Sequence, residues 1–177
     1  LLRLAFLHAP NDPMIRTWYA WGEKDVDVAL DILKKGLNRM PDNTGLNNMI
    51  GYKLMSKGDM EQAGKHFALN VASSPKVANA HDSYGDYLLK LGNKKEAKNS
   101  FLKAYEIDPK NFIASYNLAN HYFSNNDDKN AEKFYKLSIE LNPQHFYPYN
   151  NLFQLYDRSN NLEKLEEIFN NILKLFG

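Results

Sequence analysis

Apolar residues along this chain recur at the spacing of one face of an α-helix. Between Ala80 and Leu91 one stripe holds positions i, i+3, i+4 and i+7, the pattern of a helix that buries one side; its residues are His81, Tyr84, Gly85 and Leu88. A second apolar stripe runs from Lys95 to Ile107, where Asp108-Pro109 ends it, because the residue before a proline is pushed out of the helical region. Gly92 stands between the two segments, where a chain leaving a helix often adopts a left-handed backbone. The pattern predicts two helices joined by a tight turn.

The same helix pair recurs every 34 residues. The central copies keep a small residue, an aromatic residue, a turn residue and a closing proline in register, and the outer copies keep part of this set. The alanines are Ala63, Ala97 and Ala131; the aromatic residues are Phe67, Phe101 and Tyr135; the turn residues are Gly58, Gly92, Asn126 and Asn160; the prolines are Pro41, Pro75, Pro109 and Pro143. One such pair buries too little apolar surface to be stable alone, so the copies are expected to stack on one another.

A 34-residue period with a small residue, an A-x-x-x-F pattern and a closing proline resembles the tetratricopeptide repeat, a helix–turn–helix unit. The resemblance covers residues 10–177 and implies an all-α fold, a tandem helix-turn-helix α-solenoid wound as a right-handed superhelix. It divides the chain into residues 1–9, the tail of a preceding helix or a connector; 10–43, a degenerate first repeat; 44–77, 78–111 and 112–145, the second to fourth repeats; and 146–177, an atypical terminal fifth repeat.

The first repeat departs from the pattern of the others. Asn11-Asp12-Pro13 predicts a helix start, because a capping side chain is followed by proline in the first turn. The helix that follows carries Trp18 and Trp21. We expect both in the core, since aromatic residues at helical spacing are usually buried; a docking surface for a neighbouring domain is the alternative.

Composition narrows the function classes. The net charge is +1 with acidic and basic residues interspersed, so a basic stripe for nucleic acid is not predicted. The chain has no Cys, which removes disulfides and thiolate chemistry and leaves cytoplasm and periplasm equally open. No apolar run approaches the roughly 18–20 residues that span a bilayer, so no membrane span is expected.

No arrangement of residues predicts catalysis. His81-Asp82-Ser83 holds the residue types of a catalytic triad, but consecutive helical side chains point about 100° apart and do not converge. We expect His81 to pack in the core. The five histidines lack the spacing of a metal site, and no phosphate-binding or nucleophile motif occurs. We therefore predict a protein that is not an enzyme and that has no cofactor and no metal.

The outward face of each repeat's first helix lines the concave side of the predicted superhelix, where the family usually binds its partners. That face is neutral to acidic and rich in amides, which match the C=O and N–H groups of an extended peptide. The predicted groove residues are Asn48, Tyr52, Asn79, Asp82, Asp86, Tyr116, Asn117, Asn120, Tyr147, Asn150, Asn151 and Gln154. Ordinary solvated surface is the alternative interpretation.

Two details refine this groove. Asp82 and Asp86 are like charges four residues apart, which a basic ligand or Lys90 would relieve. The residues with which some family members grip a terminal carboxylate are replaced here, so that type of chaperone-tail binding is not predicted. The replacing residues are Met14, Trp18, Met49, Asn79 and Ser83.

Three functions are compatible with this sequence. The first is a scaffold that binds a protein or peptide in the groove. The second is an accessory domain of a larger bacterial hydrolase, because residues 47–86 look like the repeats that follow esterase-type α/β-hydrolase domains. The third is self-assembly, since the last helix carries more apolar surface than one partner helix needs. The partner is then a protein or peptide, an upstream domain of the same protein, or a second copy.

Overall fold

A computed structural model describes residues 2–177, with side chains from residue 5 onward. These residues form eleven helices and no strand. The helices are α1 Leu2–His8, α2 Pro13–Gly22, α3 Val26–Leu37, α4 Thr44–Lys57, α5 Met60–Ser73, α6 Ala78–Lys90, α7 Lys94–Ile107, α8 Phe112–Ser124, α9 Asp128–Leu141, α10 Phe146–Arg158 and α11 Leu162–Phe176. The predicted all-α class and its helix-turn-helix arrangement are confirmed.

The chain divides into two compact units, an N-terminal unit that ends at Asn93 and a C-terminal unit that begins at Lys94. The division falls between α6 and α7, within the third predicted repeat. Among the described helices, none combines the length and apolarity needed to cross a bilayer.

The turn residues adopt the backbone that the sequence predicts. A left-handed backbone is cheap for glycine and tolerated by asparagine, which explains why only these two types occupy the slot. The φ angles are 88° at Gly58, 83° at Gly92, 56° at Asn126 and 51° at Asn160. After three of these turns a capping side chain accepts a hydrogen bond from the first turn of the next helix; these caps are Asp59, Asp127 and Asn161.

The core of the N-terminal unit depends on a close approach of α4 and α5. Ala63 and Phe67 of α5 are fully buried. The Phe67 ring lies 2.7 Å from where a Cβ on Gly51 would stand, so the glycine makes room for the ring. Ala131 and Tyr135 of the C-terminal unit, at the equivalent positions, are also fully buried. The alanine and the aromatic residue that recur in the sequence therefore lie in the core of each unit.

The expectation that Trp18 and Trp21 lie in the core is wrong. Their side chains are 54% and 74% exposed. Ala20 and Arg16 face the interior of this helix instead, and the Arg16 guanidinium donates to the carbonyl of Ile32 at 2.7 Å. The helix start is as predicted, since Asp12 caps α2 and Pro13 is its first residue. The buried positions of this helix are therefore taken by Arg16 and Ala20 rather than by the two tryptophans.

The last helix, α11, packs on α10 through one face and exposes another. Ile168 is buried, and the Phe176 ring meets the rings of Phe146 and Tyr149 edge-on at 5.4 and 5.5 Å. On the neighbouring face Phe169 and Leu173 remain about half exposed. The predicted excess of apolar surface on this helix is therefore present.

Candidate functional site

The predicted groove residues all lie on the first helices of repeats and divide between the two units. In the N-terminal unit, Asn48 and Tyr52 lie on α4, and Asn79, Asp82 and Asp86 lie on α6; in the C-terminal unit, Tyr116, Asn117 and Asn120 lie on α8, and Tyr147, Asn150, Asn151 and Gln154 lie on α10. The two sets are different in chemistry and are described in turn.

Tyr52 and Asp86 tie consecutive first helices of the N-terminal unit together. The Tyr52 hydroxyl donates to Asp86 Oδ2 at 2.8 Å, and its ring meets Phe67 edge-on at 5.2 Å. Burial raises the pKa of the Asp86 carboxyl, while the hydrogen bond from Tyr52 opposes that rise. Burial also raises the pKa of Tyr52. This pair is half-buried, and its hydrogen bond joins α4 to α6.

A depression between α2 and α4 contains the two exposed indoles. It has a volume of about 340 Å³ and is lined by Thr17, Trp18, Trp21, Gly45, Asn48 and Met49. A second depression of about 320 Å³ adjoins it, sharing Thr17 and Gly45 and adding Pro13, Met14, Asn43 and Thr44. Asn48 Oδ1 is buried and has no hydrogen-bond partner among the described residues. We call this surface the indole groove; of its residues, only Asn48 is in the predicted groove set.

The C-terminal unit brings amides and tyrosines into one network. Asn120 Oδ1 accepts from the Tyr135 hydroxyl at 2.8 Å and from Asn151 Nδ2 at 2.9 Å. Asn151 Nδ2 also lies 3.2 Å from the Tyr135 hydroxyl and 3.4 Å from that of Tyr116. Three predicted groove residues are therefore fixed by one another and by Tyr135. Tyr147 and Gln154 of α10 stay exposed beside them.

The triad-like residues on α6 are engaged in packing. His81 Nε2 donates to the carbonyl of Pro75 at 2.9 Å, while Asp82 and Ser83 are buried. Asn47 and Tyr149, 34 residues before and 68 after His81, donate in the same way to the carbonyls of Pro41 and Pro143 at 2.8 and 3.1 Å. The histidine thus holds a recurring structural position, which the 34-residue alignment would have revealed. In the described part of the chain, no three His, Asp or Glu side chains group as metal ligands do.

Glu132 of α9 is a charged centre that the sequence did not predict. Its carboxylate accepts from Lys164 at 2.7 Å and from the Tyr156 hydroxyl at 3.0 Å, and it pairs with Lys136 at 2.8 Å. Partial burial acts to raise the pKa of Glu132, but these three partners outweigh it and lower the pKa to about 2. The carboxylate joins α9 to α10 and α11 as an ionised group.

The sequence was compared with protein families and with known proteins. The family model "Tetratricopeptide repeat" matches residues 78–111 and 114–145. No curated protein matches the sequence significantly.

Several solved structures share the fold at low identity. PilF of Pseudomonas aeruginosa is 16% identical, with a TM-score of 0.81, covering 92% of this chain and 75% of its own. MamA of Desulfovibrio magneticus RS-1 is 19% identical, with a TM-score of 0.73 and 90% of each chain covered. YrrB, described as a TPR protein with an unusual peptide-binding site, is 17% identical, with a TM-score of 0.65, covering 99% of this chain and 92% of its own.

Proposed function

Because the chain is a tetratricopeptide repeat protein, we propose that it is a non-catalytic scaffold that binds a segment of another protein on the outward faces of its first helices. The indole groove is the observation that carries this proposal. Exposed apolar residues that form a contiguous patch often mark an interaction site, whereas single exposed apolar residues are common. Trp is also among the residue types that most often dominate binding energy.

The indole groove suits a peptide for reasons of shape and chemistry. Gly45 adds no side chain to its lining, and Thr17 and Asn48 add polar groups to the two indoles. A segment with one or two apolar side chains would pack on Trp18 and Trp21 while its backbone meets the polar groups. YrrB, a structural relative described as having a peptide-binding site, supports the same class of partner.

The amides of the C-terminal unit, Asn120 and Asn151 among them, are the second candidate surface for binding a peptide. Five or six hydrogen bonds at a net 0.5–1.5 kcal/mol each barely reach the roughly 8 kcal/mol of a micromolar complex, once the cost of association is subtracted. The donors of Asn151 are also already engaged within the protein. These amides are therefore a weaker candidate for binding a partner than the indole groove.

A peptide array probed with the 177-residue protein at two salt concentrations tests this function. We expect binders rich in apolar residues whose signal is little changed by salt, since apolar contacts are not screened as exposed charges are. Replacing Trp18 and Trp21 with Ala should abolish most of these signals, whereas Val28→Ala, at an exposed apolar residue on α3, should leave them intact. An array without binders, or binders unaffected by the double replacement, would contradict the proposal.

If Asp82 and Asp86 dominate recognition instead, the array should favour Lys- and Arg-rich peptides and lose them at high salt. Replacing Asn117 and Asn151 together with Ala should weaken many peptides alike if the amides hold the peptide backbone. The first outcome would assign binding to Asp82 and Asp86, and the second would assign it to Asn117 and Asn151.

The proposal includes the absence of catalysis. His81 bonds to the carbonyl of Pro75, and Asp82 and Ser83 are buried. Consecutive helical side chains also point about 100° apart, which opposes a triad. We therefore expect no turnover of a generic ester by the purified chain. Turnover that disappears in Ser83→Ala would contradict this expectation.

A second candidate, an accessory domain of a larger hydrolase, is favoured by the same exposed indoles. They belong to the degenerate first repeat, which in that case would dock on a preceding catalytic domain. The coding sequence upstream of residue 1 tests this: a G-x-S-x-G-bearing α/β domain there would favour it. The indole groove would then be covered by the same polypeptide, and free peptides would bind only to the isolated repeats.

A further inference from the structure

The exposed side of α11 forms an apolar surface apart from the indole groove. Leu162 is 69% exposed, Phe169 48% and Leu173 52%. These residues follow one another along the helix at spacings of seven and four, so they lie in one stripe. Ile168 faces α10 and is buried, so the stripe is additional to the face that already packs. We call this stripe the α11 outer face.

The α11 outer face has both a depression and a projection. The depression measures about 420 Å³ and is lined by Phe153, Leu162, Leu165, Glu166 and Phe169. Leu173 lies beyond it, one helical turn after Phe169, and projects from the same stripe. When a two-fold axis relates two copies of such a surface, the projecting side chain of each copy can enter the cavity of the other.

The charges beside the stripe select the same arrangement. Glu166, Asn170 and Lys174 stand four residues apart in one row, so the charge changes sign across Asn170. An antiparallel pair of α11 helices with its two-fold axis at Asn170 places Glu166 opposite Lys174 of the second copy, twice. A parallel pair would place like charges together. At the axis, the Asn170 amide meets its own copy, and an amide can both donate to and accept from another amide.

The same two-fold axis brings Leu173 of the second copy toward the Glu166 end of the helix, where the depression lies. The fit of Leu173 into the depression and the pairing of Glu166 with Lys174 therefore favour the same alignment of the two α11 helices. We propose that the protein self-associates through the α11 outer face as a two-fold symmetric dimer, with α11 antiparallel to α11 of the second copy. The α11 outer face shares no residue with the indole groove.

Sedimentation velocity of the 177-residue chain from about 1 μM to about 1 mM tests this dimer. We expect a concentration-dependent monomer–dimer equilibrium. Leu173→Asp should weaken the dimer at least about tenfold, because a charge would enter the apolar contact in both copies. Leu69→Asp, at a leucine of α5 that is 44% exposed, is the matched control and should leave the dissociation constant unchanged.

A charge exchange tests the register and does not depend on the apolar residues. Glu166→Lys should weaken the dimer about tenfold through repulsion at both ends. The double variant Glu166→Lys with Lys174→Glu should restore the affinity to within about threefold of the original. A protein that stays monomeric, a double variant that is not restored, equal effects of Leu69→Asp and Leu173→Asp, or growth beyond dimers would each overturn the proposal.

Discussion

The two units carry different chemistry on the outward faces of their first helices. On the first helices of the N-terminal unit, Trp18 and Trp21 face outward beside a depression. On those of the C-terminal unit, Asn120 Oδ1 accepts hydrogen bonds from Asn151 Nδ2 and from the Tyr135 hydroxyl. One surface therefore offers apolar area to a partner, whereas Asn120 and Asn151 of the other already bond to each other and to Tyr135.

This difference shows what the repeat pattern specifies and what it leaves open. The small and aromatic positions are occupied alike in both units, since they determine how closely two helices approach. The outward positions are not needed for that packing, so they are free to differ from repeat to repeat. Binding residues therefore have to be identified from exposure and pairing at each position rather than from the period.

The largest expected effect tests the packing that both units share. Gly51→Leu would force a side chain into the buried Phe67 ring, and we expect it to lower the free energy of unfolding by about 3 kcal/mol. Urea unfolding followed by circular dichroism measures this loss. Gly22→Leu is the control, because no atom lies within 4 Å of a Cβ at Gly22, and its effect should stay within about 0.5 kcal/mol. Equal losses in the two variants would argue against the close approach.

Acid should affect the carboxylates of the two units in opposite ways. The pKa of Glu132 in the C-terminal unit is lowered to about 2 from an ordinary 4.5. Its stabilisation is therefore full above pH 4.5 and is lost as the pH falls toward 2. We expect a loss on the order of 2 kcal/mol, which Glu132→Gln should remove. Thermal melts between pH 6 and about pH 2.5 measure it.

Asp86 of the N-terminal unit sharpens this contrast. Burial raises its pKa in the folded protein, so its contribution is greatest below its unfolded pKa and is lost as the pH rises through the folded value. Asp86→Asn should therefore improve stability at neutral pH relative to acid, provided that the hydrogen bond from Tyr52 persists. If Glu132→Gln and Asp86→Asn changed the pH profile in the same direction, the electrostatic contrast between the units would be wrong.

The tyrosine network provides a more modest test. Tyr135→Phe removes the hydroxyl that donates to Asn120 and should cost about 0.5–1.5 kcal/mol. Phe67 holds the equivalent position in the N-terminal unit, and Phe67→Tyr should cost about 1–3 kcal/mol only if its new hydroxyl is buried without a partner. Chemical denaturation of both variants compares them. A Tyr135→Phe protein as stable as the original would mean that the network adds nothing to stability.

The smallest expected effect concerns a buried amide. Asn70 of the N-terminal unit is fully buried, and neither atom of its amide finds a hydrogen-bond partner within the described chain. Ser138, at the equivalent position of the C-terminal unit, donates to the carbonyl of Phe112 at 3.0 Å. Asn70→Ala should therefore change stability by between zero and a gain of about 1 kcal/mol, whereas Ser138→Ala should cost about 1 kcal/mol. Equilibrium unfolding that shows a larger loss for Asn70→Ala would reveal a partner for this amide.

The sequence predicted the framework because the framework is local and periodic. The left-handed turns at Gly58 and Asn126 and the buried Ala63 and Phe67 follow from residue type and spacing alone. The exposure of Trp18 did not follow, since periodicity shows that a stripe exists but not whether a neighbour covers it.

The network and the charged centre were missed for another reason. Asn120 and Asn151 were both predicted on the groove face, yet their hydrogen bond depends on side-chain directions that spacing does not provide. The partners of Glu132 come from three helices, so no local pattern reveals them.

Nuclear magnetic resonance of the two indole N–H groups tests the central claim most directly. The chain has only two tryptophans, so Trp18 and Trp21 give two separate signals in a ¹⁵N-labelled protein. Titration with a peptide selected from the array should shift at least one of these signals in a saturable way, and Trp18→Ala with Trp21→Ala should abolish binding of that peptide. Saturable binding that moves neither indole signal would contradict the assignment of the indole groove as the binding surface.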